Sequence, residues 1–334
     1  MPHDLSPMTT TQPLPTLSQY AAGTLRVGDP DVAGPLAVYP ILGAEPSLDY
    51  LAFAQAVGSG LAIKELPGHA SVNDLVVLNP TPHNVLLYEG EEVLGAKQNR
   101  TFDVSVLVGA GARLTMPVSC VEAGRWDGSR DHESFAAAPQ AAYPALRRMK
   151  NEQARGRVRT GAEARANQSE VWREVDAKRS RHGAAAATGA MHDVFEHRRA
   201  RLADLLGPIR VHPGQCGAIV ALGGRVDVAD YVSRPDAFAS LHGPLVQGYA
   251  LDALEANDAP APSTDEVQAW LGRALAAPVA EGDGIGLGRD VRFETPAAAG
   301  AGLVSGTELV QLTAFATHRP GVDTTIRRPS RRRR

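Results

Sequence analysis

Between residues 35 and 118 the chain alternates short apolar runs with breaks of Gly, Pro and Asn. Runs at 36–42, 61–63, 75–78, 85–88, 104–108 and 114–118 recur at intervals of roughly 8–12 residues, a spacing that predicts strands of a β-sandwich or barrel. One helix is expected among them, capped by Ser47, with Leu48, Leu51, Ala52 and Ala56 as its apolar stripe and Gly58 and Gly60 as its stop. Past Trp126 the period becomes helical, and residues 133–206 predict two or three helices. Val171, Trp172 and Val175 form one partial stripe. Met191, Val194, Phe195, Leu202, Leu205 and Leu206 form a strong one ending at Gly207-Pro208, with a turn near His182-Gly183.

The last third is mixed. Strands are expected at 218–222 and 225–228, then a helix starting at Pro235 and broken at Gly243-Pro244 before 245–254. Ser263 and Glu266 form a capping box ahead of Val267, Trp270, Leu271, Ala274 and Leu275, spaced as one helical face. Strands at 291–293, 301–304 and 309–315 close the pattern. The fold class is α+β: a β-rich, sandwich- or barrel-like N-terminal half, a helical middle segment and a smaller α/β C-terminal part. The expected organisation is a disordered lead-in at 1–18, a β-rich part at 19–130, helices at 131–208 and an α/β closing part at 209–318. Residues 19–318 then form one integrated domain, and 319–334 a basic disordered tail.

Composition refines this picture in one respect. The chain of 334 residues is 43% hydrophobic with a net charge of -3, which excludes a disordered or histone-like protein. The charge is unevenly placed. Residues 146–210 hold 15 Arg/Lys against 8 Asp/Glu, a net of +7, and the last eight residues add six arginines, so the rest carries -16. Nucleic acid is one partner such a basic middle could serve. Aromatic residues are sparse there, however, and arginine outnumbers lysine 30 to 4 throughout, so a solvated helix face is the preferred reading. The two cysteines, Cys120 and Cys216, make no disulfide scaffold. The N-terminus lacks the pattern of a signal peptide, and no apolar run approaches the roughly 20 residues of a membrane span. A cytoplasmic protein without membrane contact is expected.

Chemistry concentrates in two stretches. Glu89-Gly-Glu-Glu-Val-Leu-Gly-Ala-Lys-Gln-Asn-Arg100 packs three carboxylates, Lys97, Gln98, Asn99 and Arg100 into twelve residues between expected strands. A charged solvated hairpin is one reading. The other takes Gly90 and Gly95 as positions of unusual backbone or close approach, and Arg100 with its amides as a fork for phosphate, carboxylate or ribose. Pro117-Val-Ser-Cys-Val-Glu-Ala-Gly-Arg-Trp126 is the second stretch. There Glu122 and Arg125 form a plain ion pair or a ligand clamp, Trp126 is a candidate stacking plate, and Cys120 reads as buried or as part of the pocket wall. The histidines do not converge: His192 and His197 are five apart, unlike the four-apart spacing of a zinc helix. No metal or cofactor is predicted, although a divalent cation held by Glu89, Glu91, Glu92 and Glu122 stays open. Gly282-Asp-Gly-Ile-Gly-Leu-Gly288 is not a dinucleotide fingerprint, and Cys216 reads as part of a turn into a strand.

These two stretches resemble the domain family named for its association with ADP-ribosylglycohydrolases and rhodanese-phosphatases. Further similarity lies at Ser71-Val72, at Val171-Trp172, at 215–220 and at 309–315, so the resemblance spans roughly residues 30–316. It implies ADP-ribosylglycohydrolase-type proteins as functional neighbours and a ligand near ADP-ribose or another NAD-derived nucleotide. On that expectation the chain binds and processes a small anionic ligand. Arg100 and Lys97 hold phosphate, Gln98 and Asn99 the ribose or base, and Trp126 stacks. Arg125 and Cys120 complete the pocket, with Glu91 and Glu122 as candidate catalytic residues of a hydrolase-like reaction. The alternatives are a binding or interaction module without turnover, and a nucleic-acid-associated scaffold.

Overall fold

The computed structural model describes residues 14–66, 71–130, 132–185 and 187–317. Strands β1 (Arg26–Val27), β2 (Asp31–Ala33) and β3 (Leu36–Leu42) come first, then β4 (Leu51–Ala52), which runs into the short helix α1 (Phe53–Val57). Next come β5 (Ala62–Lys64), β6 (Asp74–Leu78), β7 (Val85–Leu87), β8 (Glu91–Leu94), β9 (Arg100–Phe102), β10 (Val106–Val108), β11 (Arg113–Cys120) and β12 (Ala136–Ala141). Helices α2 (Pro144–Arg159), α3 (Gln168–His182) and α4 (Met191–Leu206) precede β13 (Gln215–Leu222) and β14 (Arg225–Val232). Helices α5 (Pro235–Ala253) and α6 (Thr264–Leu275) lead to β15 (Ala280–Asp283), β16 (Arg289–Glu294), β17 (Ala298–Ser305) and β18 (Glu308–Ala316). The protein is α+β.

The strands form three sheets. The largest is antiparallel in the order β1-β3-β13-β14-β18-β17-β16-β15, with β2 beside β3. The first strands of the chain and the last therefore share one sheet, and everything between β3 and β13 is inserted between neighbours. The inserted part carries a six-stranded sheet, β12-β8-β9-β11-β6-β5, and a three-stranded one, β10-β7-β4. Both faces of the large sheet are covered. Val38, Ala218 and Val220 join the core under α4 and α5, whereas Tyr39, Ile219 and Ala221 join the core under α6. Burial on both faces is why β3 and β13 read as unbroken apolar runs instead of alternating ones.

Several expectations need correction. Ser47 caps no helix: its backbone N–H and hydroxyl both donate to Glu308, at 2.7 and 2.6 Å, and α1 is only five residues long. Gly243-Pro244 does not break α5, which is continuous through Pro244 because packing on nearly every side outweighs a missing donor. Strand β12 lacks any β-branched residue and is held by pairing with β8. The lead-in ends earlier than expected: Leu17 is buried, and Pro15 and Leu17 hydrogen-bond to Val279 and Ala277. Residues 1–13 and the basic tail from 318 lie outside the described residues.

The largest correction concerns the basic middle. Helix α2 turns Arg147, Lys150, Asn151 and Ala154 inward, the spacing of one helical face, and Arg147 and Lys150 are almost completely buried. Arg147 donates to Glu89 Oε1 at 2.6 Å and to both oxygens of Asp230, at 2.6 and 2.9 Å. Tyr88 also donates to Asp230, at 2.7 Å. Lys150 Nζ lies 3.0 Å from Asp103 Oδ1 and donates to the Phe102 carbonyl at 2.8 Å. On α3 the buried Lys178 pairs with Asp252 and Glu255 at 2.6 and 2.8 Å. Arg155 and Arg159 reach Glu294. Arg147, Lys150 and Lys178 thus meet carboxylates inside the molecule and are out of reach of a nucleic acid, whereas Arg157, Arg159, Arg173, Arg181, Arg199, Arg201 and Arg210 are exposed.

Burial would raise the Asp230 pKa, but the Arg147 guanidinium and the hydrogen bonds from Arg147, Tyr249 and Tyr88 hold it below its ordinary value. Removing one partner leaves a buried charge alone, so Arg147→Ala should destabilise the fold by about 3–5 kcal/mol. Arg157→Ala, on the exposed side of the same helix, should fall within about 0.5 kcal/mol of the parent in chemical denaturation.

Candidate functional site

The first motif is not a solvated hairpin. Residues 89 to 94 run through a tight turn into β8, and 95–99 turn back into β9, nearly all of it buried. Gly90 sits at φ 86°, and a Cβ there would lie 2.7 Å from Arg147 Cδ, so this position must lack a side chain for the guanidinium to pass. The second turn passes through Ala96 at φ 42°, a left-handed conformation uncommon for alanine. The Ala96 carbonyl accepts a hydrogen bond from Arg125 at 2.8 Å, so the second motif holds the first in place.

Arg125 and Glu122 are the clasp between the motifs. Oε1 of Glu122 accepts from Arg125 Nε at 2.9 Å and from Thr188 at 2.7 Å; Oε2 accepts from Asn99 N at 3.0 Å and lies 2.7 Å from Arg125 Nη2. Asn99 Oδ1 accepts from Arg125 at 3.0 Å, and Gln98 Nε2 donates to the Glu122 carbonyl at 3.1 Å. Burial alone would raise the Glu122 pKa, but the bonds from Arg125, Thr188 and Asn99 outweigh it and keep the carboxyl below its ordinary value. A carboxylate with four donors is a poor proton acceptor. Its role in this geometry is to tie together β9, the end of β11 and the segment entering α4.

Arg100 lies deeper. It faces Cys120 across the β9–β11 pair, and its Nη1 donates to Gln98 Oε1 at 3.1 Å. Glu65 Oε1 is 3.8 Å from Nη2, beyond hydrogen-bond distance, and Nε and Nη2 have no hydrogen-bond partner although the side chain is fully buried. Burial lowers the Arg100 pKa, against the opposing fields of Cys120 and Glu65. Trp126 is the outer layer: 48% exposed, its ring lies 5.9 Å from the Arg100 guanidinium and 5.4 Å from Lys97 Nζ. Cys120 is sealed, with Sγ 3.4 Å from the Glu122 carbonyl and its pKa raised by burial.

Of the residues singled out from the sequence, Lys97, Gln98, Asn99, Arg100, Cys120, Glu122, Arg125 and Trp126 come together. Gln98, Asn99 and Arg125 are engaged within the cluster. Lys97 and Trp126 form its outward part, with Arg100 buried beneath the Trp126 ring. Glu91 stands apart: it is buried, and its Oε2 accepts from the Tyr88 backbone at 2.8 Å. Its neighbour Glu92, which the sequence offers only as a cation ligand, has a different setting. That carboxyl accepts from Gln140 at 2.6 Å, Gln140 Nε2 lies 2.8 Å from His192 Nδ1, and Glu92 Oε1 has no hydrogen-bond partner. Alternation along β8 was the available signal, since it sends Glu91 and Glu92 to opposite sides. The four glutamates considered for a cation point to four different partners. Among the described residues no three His, Cys, Asp or Glu side chains come together as metal ligands, and no helix there is long and apolar enough to cross a membrane.

An α+β chain whose two polar motifs interlock around a buried arginine is the class of protein this geometry defines. Residues 24–315 match the ARG and Rhodanese-Phosphatase-superfamily-associated Protein domain, ARPP-1, and the chain belongs to that family. No curated protein and no solved structure matches it.

Burial pushes both Glu91 and Glu92 up to about 8 from the ordinary 4.5. Between those values the folded protein keeps protons that the unfolded chain has released. Stability therefore falls as pH rises through that window, by up to about 1.4 kcal/mol per pH unit for each group, and levels off above it. Glu92→Gln should flatten this dependence and raise stability at pH 8 more than at pH 5, as measured by denaturation at a series of pH values.

Proposed function

We propose that the interlocked motifs bind a small anionic ligand of the ADP-ribose or NAD-derived nucleotide class. The observation that carries this reading is Arg100: a fully buried guanidinium beneath an exposed tryptophan, with two nitrogens that make no hydrogen bond and Glu65 at 3.8 Å from one of them. A buried cation left with unmet hydrogen bonds is unfavourable, and a phosphate oxygen reaching Nε and Nη2 supplies both the bonds and the opposite charge. Entry requires Trp126 to swing from over Arg100, after which its ring is free to stack on a base while Lys97 meets the phosphate edge. The family's name, with its link to ADP-ribosylglycohydrolases and rhodanese-phosphatases, supports the ligand class.

The geometry favours binding over turnover through the residues first considered. Glu122 is saturated with donors and Glu91 is sealed. A second, hydrolase-like reading rests on Glu92, whose raised pKa and unpartnered Oε1 suit general acid–base catalysis, with Gln140, which also meets His192, holding the carboxyl in position. It occupies the opposite side of the sheet from Arg100, since Val93 and not Glu92 pairs with Arg100.

Calorimetric titration with ADP-ribose and NAD tests the first reading. Trp126→Ala, at an exposed position, should weaken binding about tenfold, in line with a lost stacking or cation–π contact of 1–2 kcal/mol. No heat and no thermal shift with either ligand rejects it. Mass spectrometry of ADP-ribose, NAD and an ADP-ribosylated peptide after incubation separates binding from turnover. Products that vanish with Glu92→Gln while affinity persists establish the hydrolase reading.

A further inference from the structure

A second cavity lies on the far side of the six-stranded sheet from Arg100, where the loop after α2 meets the β15–β16 hairpin. Its volume is about 290 Å³. The hairpin carries the alternate-glycine run 282–288, which allows close approach to another backbone. A Cβ on Gly286 would lie 2.2 Å from the Leu107 carbonyl, and Leu287 N donates to that same oxygen at 2.7 Å. The large sheet is thereby fastened to β10, and the cavity remains beneath the fastening.

Val158, Ile285 and Leu303 give the cavity apolar walls. Among the described residues its charged lining is Glu163, Asp283 and Asp290, all carboxylates. Asp290, Val104 and Ser105 also wall a smaller inner chamber with room for about one water-sized group. That chamber is polar. Only Oε1 of Glu89 is engaged by Arg147, and only Oδ2 of Asp290 by Arg292, at 2.7 Å. Asn151 is 6% exposed and its Oδ1 has no hydrogen-bond partner. Among the described residues, Arg292 is the cation that lines the chamber. Arg147 and Lys150 neutralise Glu89 and Asp103 from behind, Arg165 pairs with Glu163 at 2.6 Å, and Arg292 engages one oxygen of Asp290, so Asp283 and the other oxygen of Asp290 face the outer cavity. Unused acceptors at a narrow end, apolar walls and an acidic rim describe a receptor for a donor-rich head on an apolar body.

We propose that this cavity binds a small organic amine, its ammonium group hydrogen-bonded to Asp290 at the entrance of the inner chamber and its apolar portion against Val158, Ile285 and Leu303. Nucleotides are excluded by the same carboxylates, so the amine site is independent of the Arg100 site. The binding mode needs no rearrangement of the ion pairs behind it.

The test uses the full chain with 2-phenylethylamine, set against 2-phenylethanol and 3-phenylpropionate as neutral and anionic counterparts of similar size. Saturation-transfer NMR and thermal shift should show the amine binding at least tenfold more tightly than either. Asp290→Asn should reduce amine affinity tenfold or more. Ile285→Trp, at a partly exposed position on the hairpin, should block the cavity and keeps the test decisive if the Asp290 variant does not fold. Trp126→Ala should leave amine binding unchanged. Equal binding of the three probes, or amine affinity that survives Ile285→Trp, overturns the proposal.

Discussion

The structure depends on the buried contact of Arg147 with Glu89 and Asp230. Helix α2 comes from the helical middle, Glu89 from the first motif and Asp230 from the large sheet, so one guanidinium joins three parts of the chain. A charge taken from water survives only where its hydrogen bonds and its counter-charges are supplied together. Asp230 meets this condition with Tyr88 and Tyr249 as further donors, and Thr313 completes the set. Gly90 makes the approach possible. The same logic recurs with Lys150 beside Asp103 and Lys178 beside Asp252, so three cations of the basic middle find their counter-charges in the interior.

This seam also separates two polar regions with different character. On one side of the six-stranded sheet, Arg100 has donors without acceptors. On the other, Asn151 Oδ1 has no hydrogen-bond partner, and Glu89 and Asp290 each engage an arginine through one oxygen. The β9 register produces the division: Arg100 faces Cys120, and Thr101, which faces Ser119, points toward Lys150 and Asp103. A strand with a period of two places adjacent residues in opposite chemical environments, so a twelve-residue motif serves both the clasp and the interior.

Much of the fold was legible because its signals are local. The capping box at Ser263 and Glu266 is formed, α4 ends beside Gly207, and Gly183 closes α3 in a left-handed conformation. The apolar runs at 36–42 and 218–222 became central strands, the second beginning three residues earlier at Gln215. The motif cluster was legible in part: eight of the residues named from the sequence meet, since both motifs lie on paired strands. Glu91 was misplaced because a carboxylate in a turn can satisfy its own backbone, here the Tyr88 amide. Strands β8 and β9 do not show as strands in the sequence because their side chains are charged, and a solvated hairpin was one of the two readings open for them. Charge normally marks solvent, and only a partner from another segment permits its burial.

The sequence by itself determined the alternation of elements, most helix boundaries, the family and the two stretches that carry the chemistry. Each of these follows from neighbours within about two helical turns or a few strand residues. Tertiary structure decided which charges are interior. It set Arg147 and Lys150 against carboxylates 58, 83 and 47 residues away in the chain, and returned the last strands to the first. Pairing over such separations follows from the sum of packing, desolvation and register across the whole domain, and no local pattern records it.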